Sequence, residues 1–278
     1  MGAPMARRLL KAGHKVRVNS RSIEKARALE PDGAAIISDP ARAVADAEAV
    51  FIMVPDTPDV EGVVAQIEPA LAAGQLVIDM STISPSAERA ISAHLRTIGV
   101  SYLDAPVSGG EPGAIEGTLT IMVGGDEAAF KRARPLFEVL GKRITYMGSS
   151  GAGQVTKLAN QIAVSLTLEG VVEALVFAKA GGLDPARVLD AIGAGAAASW
   201  QMSNLGPKII ASDFRPGFFI KLLRKDLNLV TGAARENRNA LPGLALVRSM
   251  FNLAAVLGHD MDGTQALADA LDTFSRVK

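Results

Sequence analysis

Two patterns of hydrophobic and polar positions divide the chain near residue 149. Before it, short apolar runs alternate with helical spacing, and after it only helical spacing continues. Alternation of this kind indicates βαβ units and a mostly parallel sheet with helices on both faces. We therefore predict a doubly wound α/β domain in residues 1–149 and an all-α domain in residues 150–278. The predicted strands are residues 16–19, 34–37, 50–54, 76–80, 102–105, 120–123 and 144–146.

Capping residues mark the predicted helix boundaries. Asp39 and Ser84 each precede a proline, which suits the first position of a helix. Residues 1–12 have an amphipathic pattern that ends at Gly13, and the helix after Asp126 is predicted to end at Gly141. A helix over about residues 153–180 is apolar on more than one stripe, so we expect it to be central and buried. It ends at Gly181-Gly182, and three or four further helices are expected after it.

Composition narrows the classes of partner. Lysine plus arginine and aspartate plus glutamate both number 29, so charge favours neither nucleic acid nor an anionic membrane. The most apolar long segment, residues 162–180, contains Glu169 and Glu173, which would be costly inside a bilayer, and we predict no transmembrane span. The partners expected are small molecules.

Residue counts also bear on metals and redox chemistry. The chain has no cysteine, which excludes disulfides and thiolate catalysis, and is compatible with a reducing cytoplasm. Its three histidines, His14, His94 and His259, are scattered, so we predict ordinary surface or loop residues and no metal site. Trp200, the one tryptophan, is interpreted as packing in a core or at a subunit contact.

A polar cluster opens the long predicted helix. Residues 151–157 read Gly-Ala-Gly-Gln-Val-Thr-Lys, and Asn160 and Gln161 follow. Positions three and four apart share a helix face, so Lys157, Asn160 and Gln161 project together. The glycines allow a ligand to approach the backbone closely. By itself the segment favours a solvated helix start over a binding site, because lysine is common on helix surfaces.

Three polar segments follow predicted strands, where doubly wound sheets bind their ligands. They are residues 54–58, 81–85 and 104–119. In the third, Ser108, Gly109 and Gly110 offer a hydroxyl and unhindered backbone N–H groups, which can hold a carboxylate. A glycine-rich loop that merely turns explains the same residues equally well.

Four segments, distributed over essentially the whole chain, resemble signatures of the β-hydroxyacid dehydrogenase family. They are Met-Gly-Ala-Pro-Met-Ala at residues 1–6, the loop 104–119, the segment 151–161, and Lys-Asp-Leu at 225–227. The resemblance implies a Rossmann-type nicotinamide-binding domain, a helical substrate domain, and an oxidoreductase that acts on CH–OH groups. It also implies a cytoplasmic homodimer or homotetramer that assembles through the helical domain.

The resemblance implies roles for individual residues. Lys157 matches the general acid/base, which protonates the carbonyl oxygen while cofactor hydride goes to the carbonyl carbon; such a lysine works best when burial or a nearby cation lowers its pKa. The matches to substrate-binding positions are Ser108, Gly109, Gly110, Asn160, Gln161 and Phe218. The matches to cofactor-binding positions are Met1, Gly2, Ser20, Arg21, Ser22, Val54, Pro55, Asp56, Thr82, Lys225 and Asp226. Asp226 is also expected to orient a neighbouring group.

The end of the strand predicted at residues 16–19 indicates which cofactor is preferred. NAD-preferring folds usually place an acid there for the ribose hydroxyls, whereas NADP needs a cation and hydroxyls for its extra phosphate. This chain has Asn19-Ser20-Arg21-Ser22 at that point. We predict NADP(H), with Arg21 on the 2′-phosphate and NAD(H) as the alternative. The competing interpretation is an arginine that simply begins the next helix.

The start of the chain departs from the family pattern. Members begin with a strand and Gly-x-Gly-x-x-Gly, of which Met1 and Gly2 match the last two places. The first strand and two glycines are missing, and their absence would weaken folding and cofactor binding. We expect the natural protein to start about a dozen residues earlier.

The sequence is compatible with several small acids as substrates. Many family members have asparagine where this chain has Gln161, and the Asn160-Gln161 pair resembles the pattern of tartronate semialdehyde reductases. This predicts reduction of a carboxylated aldehyde of that type. The alternatives are 3-hydroxyisobutyrate dehydrogenase, a glyoxylate or succinic semialdehyde reductase, and a catalytically silent or truncated member. The presence of Lys157 favours an enzyme, whereas the shortened start favours an inactive form.

Overall fold

The computed structural model describes residues 1–276. The chain divides into two compact units, Met1–Lys157 and Leu158–Lys278. The strands are β1 (Arg17–Val18), β2 (Ala35–Ile36), β3 (Ala49–Ile52), β4 (Leu76–Asp79), β5 (Ser101–Asp104), β6 (Val107–Ser108), β7 (Leu119–Gly125) and β8 (Gly141–Gly148). The helices of the first unit are α1 (Gly2–Lys11), α2 (Ile23–Arg27), α3 (Pro40–Val44), α4 (Thr57–Ile67), α5 (Pro85–Thr97), α6 (Gly110–Glu116) and α7 (Glu127–Leu140).

The strands of the first unit form two sheets. β1 pairs in parallel with β2, and the larger sheet has the order β3-β4-β5-β7-β6, with β8 beside β7. The β3/β4, β4/β5 and β7/β8 pairs are parallel, whereas β7 runs antiparallel to β5 and β6. The predicted doubly wound α/β fold is confirmed. Within residues 1–276, however, no strand joins β1 to β3, so the parallel strands do not form one continuous sheet.

Alternate residues of one strand face two different cores, as a sheet with helices on both faces requires. Ile78 of β4 packs in a cluster with Phe137 of α7, whereas its neighbour Val77 packs in a cluster with Leu95 of α5. Successive side chains of a strand point to opposite faces, so each apolar residue of β4 contributes to one core or the other. β4 is therefore buried on both sides.

The predicted helix boundaries in the first unit are confirmed. Asp39 and Ser84 precede α3 and α5, and their side chains accept hydrogen bonds from the backbone N–H groups of Ala41 and Ala87. Asp126 caps α7 in the same way, and Gly141 follows its last residue. These local signals act within one turn of the chain, which is why the sequence reveals them.

The second unit is helical, and α8 (Ala152–Ala180) is continuous across the division between the units. Five helices follow it, more than the three or four expected: α9 (Pro185–Gly193), α10 (Trp200–Ile210), α11 (Ile220–Glu236), α12 (Pro242–Val256) and α13 (Leu267–Arg276). The core packs Leu168 and Val172 of α8 against Leu223 of α11 and Phe251 of α12. By length and composition α8 could cross a membrane, but it also provides core residues here, as central helices of globular domains do.

The exposure of Trp200 separates the two settings predicted for it. Trp200 is the first residue of α10 and is 64% exposed, so it does not pack in the core. The other predicted setting, a subunit contact, stays a prediction.

Candidate active site

Lys157 is buried near the start of α8. The residue is only 7% exposed, although it lies six residues after Gly151 in a segment that the sequence alone allowed to be solvated. Lysine is rarely buried to this degree unless its charge is compensated or used. Burial therefore favours a functional site over a surface helix start, and the acid/base role of Lys157 stays a prediction.

Asp104, the last residue of β5, holds the start of α8. The backbone N–H groups of Gly151 and Gln154 donate to Asp104 Oδ1 and Oδ2 over 2.8 and 3.0 Å. Asp104 is fully buried, and burial raises the pKa of its carboxyl to about 6, although the donated backbone hydrogen bonds oppose the rise. A residue of the predicted substrate loop thus caps the helix that carries Lys157.

The side chain of Gln154 fastens the same turn to the loop after β4. Its Nε2 donates to Ser81 O over 2.9 Å and to Glu88 Oε1 over 2.7 Å, and its Oε1 accepts from the Ile83 N–H over 3.2 Å. Gln154 has no exposed surface. The turn before Lys157 is therefore bonded to residues on both sides of Thr82, a predicted cofactor contact.

A buried acidic pair lies behind Gln154. Asp79 ends β4 directly beside Asp104 in the parallel register, and Glu88 of α5 is also fully buried. Burial raises the pKa of both carboxyls, and the negative charges of Asp79 and Asp104 raise that of Glu88 further. Burial raises the pKa of the nearby Tyr102 hydroxyl as well. Burial therefore disfavours the charged form of each of these acidic groups.

The predicted carboxylate-binding residues form one tight turn. Ser108 ends β6 opposite Thr120 of β7, and Gly109 and Gly110 follow at φ 128° and 63°, where glycine is strongly favoured. Gly110 is also the first residue of α6, whose leading N–H groups have no acceptor within the helix. The structure thus brings a hydroxyl and backbone donors together, and binding of a carboxylate there stays a prediction.

In the helical unit, four predicted site residues form one chain of contacts. Asn160 Nδ2 donates to Gln161 Oε1 over 2.9 Å, Gln161 Nε2 donates to Asp226 Oδ2 over 2.6 Å, and Lys225 Nζ lies 2.7 Å from Asp226 Oδ1. Gln161 and Asp226 are buried. The neighbouring group that Asp226 contacts is thus Gln161, and the orienting role of Asp226 stays a prediction. Phe218 is partly buried against the core of the unit, and its role in substrate binding stays a prediction.

Six of the predicted cofactor residues lie at or beside the carboxyl ends of β3 and β4. A Cβ on Gly2 would lie 3.8 Å from Met53 Cβ, which places the start of α1 beside the residue that precedes Val54. The Val54 N–H donates to Ser81 Oγ over 3.0 Å, and Thr82 comes next in the chain. A helix N-terminus at the carboxyl ends of parallel strands suits a dinucleotide pyrophosphate, so the residues present fit this group. The residues placed there are Met1, Gly2, Val54, Pro55, Asp56 and Thr82, and Asp56 caps α4 through the Thr57 N–H.

The segment after β1 has the character expected for a phosphate. Arg21 is exposed over 78% of its side chain and forms an ion pair of 2.8 Å with Asp59 of α4. Ser20 Oγ accepts from the Ser22 N–H over 3.2 Å. The first acidic residue after β1 is Glu24, in α2. The strand end therefore presents a cation and hydroxyls, and the preference for NADP(H) stays a prediction.

The histidines lie in the two settings that the sequence predicts. His14 is exposed, and His94 is exposed and bonded to Glu68. His259 lies in the connection between α12 and α13, where its side chain is 15% exposed and within ion-pair distance of Asp262 and Asp269. In the part of the chain that the structure describes, no group of three or more potential ligands is placed to hold a metal ion.

Sequence reasoning missed the roles of Gln154, Asp79 and Glu88, and it placed Asp104 in a strand and at the start of the substrate loop without a structural role. The hydrogen bonds of Asp104 and Gln154 described above join residues 47 to 73 positions apart, which no local pattern reports. The available signal was an acid at the ends of two successive predicted strands, in Ile78-Asp79 and Leu103-Asp104.

Two family models together match almost the entire chain. The model described as the NAD binding domain of 6-phosphogluconate dehydrogenase matches residues 1–148. The model described as NAD-binding of NADP-dependent 3-hydroxyisobutyrate dehydrogenase matches residues 151–271. Both halves of the chain are thus similar to domains of nicotinamide-dependent dehydrogenases.

Individual relatives are similar over their full length. The chain is 44% identical to 2-hydroxy-3-oxopropionate reductase of Escherichia coli, covering 100% of this chain and 96% of that protein. It is 36% identical to an NAD-dependent L-serine dehydrogenase of Pseudomonas aeruginosa, covering 97% and 95%. A solved structure of Mycobacterium tuberculosis 3-hydroxyisobutyrate dehydrogenase with L-serine has a TM-score of 0.91 at 32% identity, covering 98% and 95%.

Proposed function

The chain belongs to the β-hydroxyacid dehydrogenase family, and we propose that within it the protein is an NADP(H)-dependent reductase of a small carboxylated aldehyde of the tartronate semialdehyde type. Membership makes it an NAD(P)-dependent oxidoreductase that acts on CH–OH groups. The observation that carries the proposal is the burial of Lys157 at the start of a helix that Asp104 and Gln154 hold in place.

Lys157 is the proposed general acid/base. A bound reduced nicotinamide supplies the hydride that the aldehyde carbon accepts. The Lys157 ammonium donates its proton to the carbonyl oxygen, so the products are the hydroxyacid and the oxidised cofactor. In the oxidising direction neutral Lys157 takes the hydroxyl proton. Ser108, Gly109 and Gly110 bind the substrate carboxylate through a hydroxyl and backbone N–H groups, and Asn160 and Gln161 orient the substrate.

Tartronate semialdehyde is the proposed substrate because of the relatives and the Asn160-Gln161 pair. The E. coli relative named 2-hydroxy-3-oxopropionate reductase is 44% identical over the whole chain. L-Serine and 3-hydroxyisobutyrate are the second candidates. A relative named L-serine dehydrogenase and the M. tuberculosis structure with L-serine favour them. In tartronate semialdehyde, L-serine and 3-hydroxyisobutyrate, one carbon atom separates the carboxylate carbon from the carbon that is oxidised or reduced.

NADP(H) is the proposed cofactor because Arg21, Ser20 and Ser22 follow β1 without an acid. The match to an NADP-dependent family description agrees with this, whereas the L-serine dehydrogenase of P. aeruginosa is named as NAD-dependent. Lys225 and Asp226 are proposed as the late cofactor contact.

We also propose a cytoplasmic homodimer or homotetramer that assembles through the helical domain, residues 150–278. Large apolar side chains of this region are exposed in the single chain, as a subunit contact would require. They include Phe177, Trp200, Val256 and Phe274.

Purified protein, assayed in both directions against a panel of substrates, tests the proposal. Tartronate semialdehyde, glyoxylate, succinic semialdehyde and methylmalonate semialdehyde are offered with NADPH, and L-serine and 3-hydroxyisobutyrate with NADP⁺, while nicotinamide absorbance is followed. We expect the highest kcat/KM with tartronate semialdehyde. Lys157→Ala is expected to lower kcat about 100-fold or more. The matched variant Lys179→Ala, on the exposed part of the same helix, should keep wild-type turnover. Substantial turnover by Lys157→Ala would contradict the acid/base role.

A further inference from the structure

Two side chains hold the turn that precedes Lys157, in addition to the hydrogen bonds that the turn makes within its own helix. Asp104 accepts the N–H groups of Gly151 and Gln154, and the Gln154 side chain makes three further hydrogen bonds. Residues 151–154 form the turn directly N-terminal to Lys157, so a shift of this turn would carry the lysine with it. All five hydrogen bonds lie within the unit Met1–Lys157.

Glycines let this turn approach the strand ends. A Cβ on Gly153 would lie 2.4 Å from Met122 O and 2.7 Å from Asp104 O, and one on Gly124 would lie 2.5 Å from Asp104 Oδ1. No larger residue fits at either position without movement of the backbone. The turn therefore packs closely against the carboxyl ends of β5 and β7.

Gln154 also connects the lysine turn to the loop that carries Thr82. Its amide bonds to the backbone of Ser81 and Ile83, the two residues that flank Thr82. Its third partner, Glu88, is fully buried beside Asp79, and burial with the charge of Asp79 raises the Glu88 pKa. Gln154 thus sets the distance between the turn before Lys157 and the loop proposed to contact the cofactor.

We propose that Gln154 and Asp104 are positioning residues for Lys157, which set the location of its Nζ relative to the reacting carbonyl by clamping the first turn of α8 to the ends of β4 and β5. The inference rests on the proposed acid/base role of Lys157. A misplacement of about 1 Å in a catalytic group can lower a rate about 100-fold, so a positioning role has a measurable signature in kcat. A merely structural role would appear in stability alone.

Gln154→Met and Gln75→Met provide a matched comparison. Gln75 is also a buried amide with three hydrogen bonds to backbone, to Val44 O, Ala47 O and the Ala72 N–H, but it precedes β4 at the end opposite Asp79. Methionine keeps much of the side-chain volume and removes the polar contacts in both cases. We expect both variants to lose thermal stability. Only Gln154→Met should lower kcat, by about tenfold to 100-fold.

Three kinetic measurements on the full chain, with the best substrate from the panel, read out positioning. For Gln154→Met we expect a fall in kcat with little change in the KM for the aldehyde. We also expect the pH profile of kcat to shift. The primary isotope effect with deuterated NADPH should increase, because misplacement of Lys157 slows hydride and proton transfer relative to the other steps. Gln75→Met should match the wild type in all three. Should Gln154→Met fail to fold, Asp104→Asn is judged by the same criteria. It keeps the side-chain size and one of the two acceptors.

Lys157→Ala separates the two ways in which the idea could fail. If Lys157→Ala keeps substantial turnover, the proposed acid/base role is wrong, and the positioning role is wrong with it. If Lys157→Ala is inactive while Gln154→Met keeps the wild-type kcat and pH profile, the acid/base role stands and the positioning inference is overturned. A fall in kcat equal to that of Gln75→Met would overturn it as well.

Discussion

Gln161 of α8 donates a 2.6 Å hydrogen bond to Asp226 of α11. The other oxygen of Asp226 lies 2.7 Å from Lys225 Nζ, and Gln161 Oε1 accepts from Asn160. The orientation of Gln161 therefore depends on a buried carboxylate in another helix, and a change at Asp226 would release both amides. This contact gives a physical reason for glutamine at position 161, because asparagine is one methylene shorter.

Gln161→Asn is expected to lower kcat/KM for the aldehyde about tenfold and the free energy of unfolding by about 1–3 kcal/mol. The shorter amide cannot reach Asp226, so a buried carboxylate oxygen loses its donor. Steady-state kinetics and urea unfolding measure the two effects. Gln66→Asn, the same substitution at an exposed position of α4, is the control and should change neither. Wild-type values for Gln161→Asn would show that the contact with Asp226 does not orient the amide.

Arg21→Glu is expected to lower the ratio of kcat/KM for NADPH over NADH about tenfold to 100-fold, because a charge-assisted contact to the 2′-phosphate becomes a repulsion. In the structure Arg21 pairs with Asp59, so Asp59→Asn should free the guanidinium and leave the preference for NADPH intact. Arg27→Glu makes the same charge change on α2, where no phosphate is proposed, and serves as the control. An unchanged ratio in Arg21→Glu would refute the assignment.

Two glycines of α8 should respond to alanine in opposite ways. Gly153→Ala places a Cβ 2.4 Å from Met122 O, so we expect a loss of about 2 kcal/mol or more in the free energy of unfolding. Gly170→Ala meets nothing within 4 Å, and the better helix propensity of alanine should stabilise the protein by about 0.5–1 kcal/mol. Urea unfolding of both variants measures the difference. Equal changes in the free energy of unfolding would mean that residues 151–154 do not pack closely against the sheet.

The elements of the fold could be predicted from the sequence because their signals are local. In Asp39-Pro40 and Ser84-Pro85 the first residue caps a helix and the proline is the first residue of that helix. A buried strand such as β4 is a short run of apolar residues. β6 was missed since it has only two residues, Val107 and Ser108, beside a proline.

The site was predictable only in part, for the same reason. Family signatures identified Lys157, Ser108 and the Asn160-Gln161 pair, whose roles stay predictions. The contacts of Asp104 and Gln154 span 50 residues and depend on two strands ending side by side. Nothing in the sequence near Gln154 distinguishes its buried amide from an exposed one.

Glu169→Gln is expected to stabilise the protein at alkaline pH and much less at acidic pH. Glu169 is buried, both of its carboxylate oxygens lack a hydrogen-bond partner among the described residues, and burial with the charge of Glu173 raises its pKa from 4.5 to about 7. The unfolded chain releases this proton at lower pH than the folded one, so wild-type stability falls as pH rises from 4.5 to about 7.

Glutamine cannot ionise, so the advantage of Glu169→Gln should grow across that window and level off above it, at about 1–3 kcal/mol. Urea unfolding at about pH 5 and about pH 8 measures this difference. Glu173→Gln removes the neighbouring charge and leaves Glu169 buried, so it should reproduce only a small part of the gain. An equal change at both pH values would mean that Glu169 does not titrate between them, and the stabilisation would then have to come from packing of the amide rather than from the removed ionisation.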